Sequence, residues 1–321
     1  MSSKRLSQLI PHIPGRRSNI DADPLIRGVA LDSRQVEPGS IFVAISGLNQ
    51  DGHDYIPDAI ARGAAAVLGT QPLQDVSVPY LRVEAARPAL AHLAAAYHDF
   101  PARKLTVLGV TGTDGKTTTA NFIFQILRAA GKRVGMISTV NAVIGEKTLD
   151  TGFHVTTPES PDVQRYLAQM VEAGLTHVVL EATSHGLAQD RVTACEFDVA
   201  VVTNITHEHL DYHGSYQAYR AAKGRLFTSL AATHTKPGLN RRVAILNRDD
   251  SSYEYLQSLL DPSVEGVSYG LDAPVDVTAS QIRHSAQGLR FLVTGPAFEM
   301  EVCTKLLGAY NVHNVLAAVG A

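Results

Sequence analysis

Two hydrophobic patterns divide the chain. Through residues 1–100, short apolar stretches at Ile41–Ile45 and Ala65–Leu68 alternate with the segments YIPDAIARG and PALAHLAAAYHDF. The first pair reads as strands and the second as helices. Phe100-Pro101 ends the second helix, which places a boundary between a first domain, 1–100, and a second, 101–321. From Lys104 strand and helix alternate: LTVLGV, a helix over 117–130, RVGMIS, a helix over 161–173, THVVLEA, FDVAVVTNI, a helix over 216–230, and RVAILN. That order predicts a parallel sheet with helices on both faces. Residues 275–306 run instead in short alternating stretches (VDVTASQI, LRFLVTG, FEMEVCT), expected as antiparallel strands at the domain's edge. The expected fold class is α/β throughout, with an antiparallel edge on the second domain. The segment NVHNVLAA (311–318) opens a helix just before Ala321. So short a helix cannot hold itself together, so either it docks tightly or a further domain followed.

Composition narrows the class. The chain has 321 residues, 45% hydrophobic and 18% charged, with a net charge of −3. That is ordinary for a soluble globular protein, and no basic excess points to nucleic acid. The two cysteines, Cys195 and Cys303, make no CxxC and no metal spacing, which favours a reducing cytoplasm. The N-terminal MSSKRLSQLIPHIPG lacks the apolar core of a signal peptide, and no apolar run reaches the length of a membrane span.

The chemistry centres on GVTGTDGKTTT (109–119), between an apolar strand and a helix with Phe122, Ile123, Ile126, Leu127 and Ala130 expected on one face. Strand, glycine-rich turn and helix form the phosphate-cradling arrangement, in which glycines let backbone N–H groups approach an anion. Lys116 would reach the terminal phosphates and Thr117 would offer a hydroxyl to magnesium. The strict pattern GxxxxGK[ST] fails at Val110, with glycines at 109 and 112, so this is a variant phosphate loop. Glu181 closes the strand HVVLE, where a magnesium ligand or a water-orienting acid belongs; the bland alternative is a solvated strand-end acid. TSHGLAQDR is expected to bring Ser184, His185, Gln189 and Arg191 to the same crest. THEHLDYHG carries His207, His209 and His213, but Asp211 breaks the zinc pattern HExxH. Lys223 lies on a helix whose other face is Tyr216, Tyr219, Leu226, Phe227 and Leu230, and its spacing alone reads as a solvated lysine. Asn247 and Asp249-Asp250 end the strand RVAILN, where they could meet a base or a ribose.

TGTDGKTTT, EATSHGL, TNITHEHLDYHGSYQAYRAAKGRLF, LNRDD and GAYNVHN stand here in the order they have in the Mur ligases, the enzymes that build the peptide stem of cell-wall precursors. LDSRQVEPGSIFVAISG with DGHDYIPDAIARGA resembles their UDP-muramyl-binding domain, and SHGL with HLDYHG resembles the tripeptide-forming (MurE-type) branch. The resemblance implies a cytoplasmic, monomeric, ATP- and Mg2+-dependent ligase joining a diamino acid to UDP-N-acetylmuramoyl dipeptide through an acyl phosphate, with no nucleic acid or membrane partner. It implies that Gly112, Thr113, Asp114, Gly115, Lys116, Thr117 and Thr118 cradle ATP, with Asn247 and Asn311 near adenine. Thr117, Glu181, His209 and Lys223 (as a carbamate) would hold magnesium, which makes Lys116, Lys223, Glu181 and His209 the expected catalytic set. Leu31, Ser33, Leu48, Asn49 and Gln50 would hold the uridine end, and Thr156, Thr157, Thr183, Gln189 and Arg191 the muramyl-peptide end. The family's third, amino-acid-binding domain has no counterpart in these residues, so a truncated, inactive form is an expectation too. Two positions depart from the family pattern: Asp114 and Val155 stand where asparagine is usual. A P-loop GTPase (DxxG at Asp211–Gly214, NRDD at Asn247–Asp250), a folylpolyglutamate-type ligase and a non-catalytic nucleotide- or UDP-sugar-binding module remain alternatives.

Overall fold

The structure is a computed structural model that describes residues 3–17, 22–47, 50–139, 141–150, 157–206, 208, 210–236, 238, 241–272 and 274–321. The chain divides into two compact units. The first comprises 1–101 with 159–168 and 189–195; the second comprises 102–158, 169–188 and 196–321.

The first unit is built on a parallel sheet of β1 (Gly28–Ala30), β2 (Ser40–Val43), β3 (Ala66–Gly69) and β4 (Tyr80–Arg82), paired in that order. The expected strand at Ile41–Ile45 is thus found one residue earlier, and the one at Ala65–Leu68 one residue later. Alternation along β2 serves two cores. Ile41 and Val43 pack with Leu90 and Leu93 of α2 (Ala86–Tyr97), while Phe42 packs with Ile56 and Ala59 of α1 (Ile56–Ala61).

In the second unit the elements are β5 (Thr106–Thr111), α3 (Lys116–Ala129), β6 (Val134–Ile137), β7 (Asn141–Ile144), β8 (Lys147–Asp150), α4 (Ser160–Glu172, whose first part counts with the first unit), β9 (His177–Glu181), α5 (Ser184–Ala188), β10 (Val199–Val202), α6 (Leu210–His213), α7 (Tyr216–Thr228), β11 (Val243–Asn247), α8 (Tyr253–Ser258), β12 (Glu265–Gly270), β13 (Val277–Ser285), β14 (Gly288–Gly295), β15 (Phe298–Thr304) and α9 (Tyr310–Gly320). Among the described residues the strands form one sheet in the order β8-β7-β6-β9-β5-β10-β11-β12-β13-β14-β15. Its centre, β6 to β12, is parallel. The antiparallel edge expected at 275–306 is there as β13 to β15. A second antiparallel edge, β7 with β8, went unread; Ile144 pairs with Lys147 across a two-residue Gly145-Glu146 turn, a hairpin signal.

Both faces of the central sheet are covered. Leu108 and Val110 of β5 pack with Ile123 and Phe124 of α3 and with Val312, Val315 and Leu316 of α9. On the opposite face a Cβ at Gly109 would lie 2.7 Å from Phe197 and 2.8 Å from Leu226, so only glycine lets α7 sit this close to β5. One expectation is corrected here and another is met. The buried stripe of α3 is Thr119, Ala120, Ile123 and Phe124, leaving Ile126 44% exposed. The helix at 310–320 docks tightly, with Val312, Leu316 and Ala317 wholly buried, and packs on α3, β11, β12 and β13. A buried ion pair sits away from any glycine-rich loop: Lys236 Nζ lies 2.5 Å from Asp198 Oδ2 and donates to the carbonyls of Leu105 (2.9 Å) and Glu196 (2.8 Å).

Candidate active site

The loop after β5 turns through two glycines with positive φ, Gly112 at 147° and Gly115 at 78°. Neither has room for a side chain: a Cβ would lie 1.8 Å from Thr203 Oγ1 at the first and 2.3 Å from Asn314 Oδ1 at the second. The crest after β10 braces the loop. Thr113 N donates to Asn204 O (2.7 Å), Asp114 N to Asn204 Oδ1 (3.0 Å), and Thr203 Oγ1 to Asp114 O (2.6 Å). Thr113 Oγ1 accepts from Thr206 N (2.9 Å) and lies 3.0 Å from Tyr219 Oη. Burial pushes the Tyr219 phenol up to about 12, so it stays protonated. Gly115 caps α3 without a side-chain hydrogen bond, and the N-terminal turn of a helix favours an anion.

Thr117 and Glu181 meet at this crest. The Thr117 hydroxyl donates to Glu181 Oε2 at 2.9 Å, and Thr139 N donates to the same oxygen at 3.1 Å. Glu181 is 1% exposed, which removes the solvated strand-end reading. Lys116 Nζ folds back onto Thr113 O at 2.7 Å. Lys223 departs furthest from its expected solvated place. It is 1% exposed, donates to Gly112 O at 2.5 Å, and lies 4.5 Å from the Tyr219 ring centroid. Burial, reinforced by the Lys116 charge, pulls its ammonium down to about 7.

Beside the loop opens a cleft of about 780 Å3, lined among others by Asp114, Gly115, Thr118, Asn247, Asp249, His313 and Asn314. Asn247 Nδ2 donates to Thr203 O (2.7 Å), and His313 Nε2 lies 3.0 Å from Asp249 Oδ2. Asn311 is buried one turn back, donating to Leu307 O (2.7 Å) and accepting from Asn314 Nδ2 (3.0 Å). Sequence reasoning passed over Thr203, Asn204, Asn314 and Tyr219. The first two follow an apolar strand directly, a signal equal to the one that drew attention to Glu181. Thr157 and Thr183 lie together, their hydroxyls 3.0 Å apart, and Thr183 Oγ1 also accepts from Gly186 N.

The uridine-end positions fall in the first unit. Leu31, Ser33 and Gln50 line a cleft of about 680 Å3 with Arg34, Tyr55 and Arg87. Gln189 and Arg191 count with this unit rather than with Ser184 and His185. Arg191 Nη2 lies 3.0 Å from Glu159 Oε1, while its guanidinium donates to Gln189 Oε1 at 2.8 and 3.1 Å. Leu48, Asn49, Val155, Thr156, His207 and His209 lie outside the described residues.

Among the described residues no cluster of three or more His, Cys, Asp or Glu stands ready to hold a metal. The Thr117 hydroxyl and the buried Glu181 carboxylate are nevertheless hard oxygens side by side. That donor pair fits magnesium, which is bound through one or two carboxylates plus substrate phosphates rather than an all-protein cage.

Residues 110–321 match the Mur ligase middle domain, and residues 25–98 match the Mur ligase family catalytic domain. A UDP-N-acetylmuramyl-tripeptide synthetase of Roseiflexus sp. (strain RS-1) is 43% identical over 98% of this chain and 63% of its own length. A UDP-N-acetylmuramoyl-L-alanyl-D-glutamate--2,6-diaminopimelate ligase of Geobacillus kaustophilus (strain HTA426) is 42% identical over 99% of this chain and 63% of its own length. Among solved structures, one of a UDP-N-acetylmuramoyl-L-alanyl-D-glutamate--2,6-diaminopimelate ligase aligns at a TM-score of 0.82 and 26% identity, over 99% of this chain and 63% of that one. A MurF ligase from Thermotoga maritima in complex with ADP shares the fold at a TM-score of 0.60 and 20% identity, over 91% of this chain and 62% of that one. The chain thus spans about 63% of the length of these curated relatives. Its braced glycine loop, with Glu181 and Lys223 beside it, lies in the longer of the two matched segments, and the chain belongs to the Mur ligase family.

Proposed function

We propose that this chain carries the nucleotide- and UDP-substrate-handling part of an ATP-dependent amide ligase of the cytoplasm, acting as a monomer. The reaction joins a diamino acid, meso-diaminopimelate or L-lysine, to UDP-N-acetylmuramoyl-L-alanyl-D-glutamate in peptidoglycan synthesis. A D-glutamyl carboxylate oxygen attacks the γ-phosphorus of ATP, the bond to ADP breaks, and an acyl phosphate forms. The diamino acid's amine then attacks the acyl carbon, and phosphate leaves from the tetrahedral intermediate.

Protein groups supply positioning and charge for the first step rather than covalent chemistry. The loop Gly112–Thr118 cradles the phosphates, with Thr113 N and Asp114 N bonded to Asn204 to hold its shape and the N–H groups at the start of α3 turned to the anion, and Lys116 swings from Thr113 O to the γ-phosphoryl oxygens. Asn247 and Asn311 stand on the adenine side. Thr117, Glu181, His209 and Lys223 would hold magnesium, which when bound neutralises charge on the transferring phosphoryl group. For Lys223 the form required is a carbamate, made when the neutral amine adds CO2 and loses a proton. An ammonium about 4 Å from one positive charge is disfavoured by roughly 4 kcal/mol at an effective dielectric of 20, and by more against a divalent ion. A lysine with its pKa near 7 presents the reactive neutral amine at physiological pH. Leu31, Ser33, Leu48, Asn49 and Gln50 take the uridine end; Thr156, Thr157, Thr183, Gln189 and Arg191 take the muramyl peptide.

The observation that carries this reading is the Thr117–Glu181 pair at the mouth of a glycine loop, with a buried lysine on the loop's own carbonyl. ATP labelled with 18O at the β,γ-bridging position tests it. Reversible γ-phosphoryl transfer scrambles the label into the β-nonbridging positions, and the scrambling is expected only with magnesium and UDP-muramyl dipeptide present. A chain that binds neither ATP-Mg nor the UDP-substrate, and scrambles no label, sinks the proposal.

A further inference from the structure

One wall of the first-unit cleft is a loop whose described residues Gly47, Gln50 and Gly52 face the opening. Backbone bonds close it, from Gly47 N to Gln50 O (2.8 Å) and from Gly52 N to Ile45 O (2.9 Å). A Cβ at Gly52 would lie 2.6 Å from Ile45 N, so backbone meets backbone there. A carboxylate and an imidazole tie this loop to the end of β3. Asp51 Oδ1 accepts from Ser46 Oγ (3.0 Å) and from His53 N (3.0 Å), and lies 2.6 Å from His53 Nδ1; Oδ2 accepts from Gln71 Nε2 (2.9 Å).

The tautomer of His53 follows from its partners. Thr70 N lies 2.9 Å from Nε2, and a backbone N–H can only donate. Nε2 is therefore the acceptor, and Nδ1 carries the proton that it donates to Asp51. The ring is buried, in a slot that exists because residue 69 is glycine: a Cβ there would lie 2.7 Å from His53 Nε2 and 2.6 Å from Tyr80 Oη. The bonds from His53 and Ser46 hold the Asp51 carboxyl well below the usual carboxylate range, at about 2, so it is ionised at any physiological pH.

We propose that His53 is a positioning residue for the UDP-substrate: it touches no ligand, but through Asp51 on one nitrogen and Thr70 on the other it fixes the loop carrying Gly47, Gln50 and Gly52 against the cleft. The inference rests on reading that cleft as the UDP site, and it assigns His53 a task beyond filling the core. Among the described residues, the imidazole with its proton on Nδ1 links the loop's carboxylate at one end to the Thr70 amide at the other.

The test compares the full chain with His53→Phe, which fills the ring slot without nitrogens, and His53→Gln, whose Oε1 can still accept from Thr70 N. UDP and ATP-Mg are titrated separately by calorimetry, and amide hydrogen exchange is followed at Gly47 and Gly52 without ligand. His53→Phe is expected to raise the Kd for UDP at least about tenfold, speed exchange at both glycines and leave ATP-Mg affinity unchanged. His53→Gln is expected to recover part of both losses, which a purely space-filling role does not predict. Unchanged UDP affinity with unchanged exchange in His53→Phe overturns the proposal. Should that variant fail to fold, Gln71→Leu cuts only the Asp51 Oδ2 bond; it is expected to weaken UDP a few-fold, and wild-type affinity there overturns the proposal equally. If the wild-type chain itself binds no UDP, the reading of the cleft fails, while exchange at Gly47 and Gly52 that still depends on His53 supports the positioning role by itself.

Discussion

Alanine at Gly112 should damage the loop more than alanine at another positive-φ glycine of the same unit. Gly112 has φ 147° and a Cβ position 1.8 Å from Thr203 Oγ1, whereas Gly131, just past α3, has φ 74° and nothing within 4 Å. Gly131→Ala therefore adds backbone strain alone, about 1–3 kcal/mol. Gly112→Ala adds similar strain plus about 1–3 kcal/mol of overpacking. Thr203 cannot simply step aside, because its hydroxyl holds Asp114 O at 2.6 Å. The two variants should thus differ by about 1–3 kcal/mol in urea unfolding followed by circular dichroism. Losing one loop hydrogen bond to a charged phosphate costs about 1.5–3 kcal/mol, so the Kd for ATP-Mg should rise at least about tenfold in Gly112→Ala and stay unchanged in Gly131→Ala. Adding Thr203→Ala to Gly112→Ala should restore part of the stability. Equal stability and equal nucleotide affinity in the two alanine variants would refute the reasoning.

Lys116→Ala should abolish ATP binding with little change in the unfolding midpoint, since the Lys116 ammonium bonds a loop carbonyl and lies near the Lys223 charge rather than bracing the core; wild-type affinity would sink the phosphate-loop assignment. Asp114→Asn removes an exposed negative charge from the cleft and should tighten ATP by about fivefold, from about 1 kcal/mol of screened Coulomb energy at 4 Å in water. That gain should shrink with added salt, and an affinity insensitive to the substitution would count against charge as its cause. Lys236→Met removes the nearer of two cations from buried Asp198, leaving Arg242 Nη1 at 3.4 Å from Oδ1, and should cost about 3 kcal/mol in urea unfolding; a loss below about 1 kcal/mol would show that the Lys236 pair is dispensable. Asp51 has a folded pKa of about 2, below its ordinary 3.8. Its contribution to stability is therefore complete above about pH 4 and disappears as the pH falls from about 4 to 2. Asp51→Asn should flatten that acid limb in thermal unfolding, and an unaltered limb would contradict the assignment.

Five of the six parallel strands were legible because they are apolar runs ending at a crest where polar residues begin, as in HVVLE and FDVAVVTN; β12, EGVSYG, is no such run and went unread. Glycine spacing likewise marked the phosphate loop, and a polar residue ending a buried strand marked Glu181. Lys223 was different in kind: neither its neighbours nor its period on α7 distinguish it from a solvated lysine. What buries it is the approach of α7 to β5 over Gly109, a tertiary event that no local window contains. Ile126 fails for the converse reason. Helical periodicity gives an apolar stripe on α3, but α9 and the sheet select the stripe through Ala120, Ile123 and Phe124 instead. Asn314 escaped notice because its relevance lies in touching Gly115, almost two hundred residues away in sequence.

That last contact makes the nucleotide cleft a late arrival in the life of the chain. Gly115 and Thr119 lie in the first turn of the helix proposed to receive phosphate, yet Asn314 Oδ1, 3.4 Å from Thr119 Oγ1, belongs to α9. On a ribosome the loop, its helix and Glu181 emerge well before the residue that completes their wall. Contacts of such long sequence separation close slowly. Nucleotide, if it binds where proposed, should therefore report folding rather than drive it: it should ignore nascent chains halted before residue 310 and bind once α9 has docked. In refolding, ATP fluorescence probes should trail the appearance of sheet signal, and ligand added early should neither speed nor redirect the chain until that closing helix is in place.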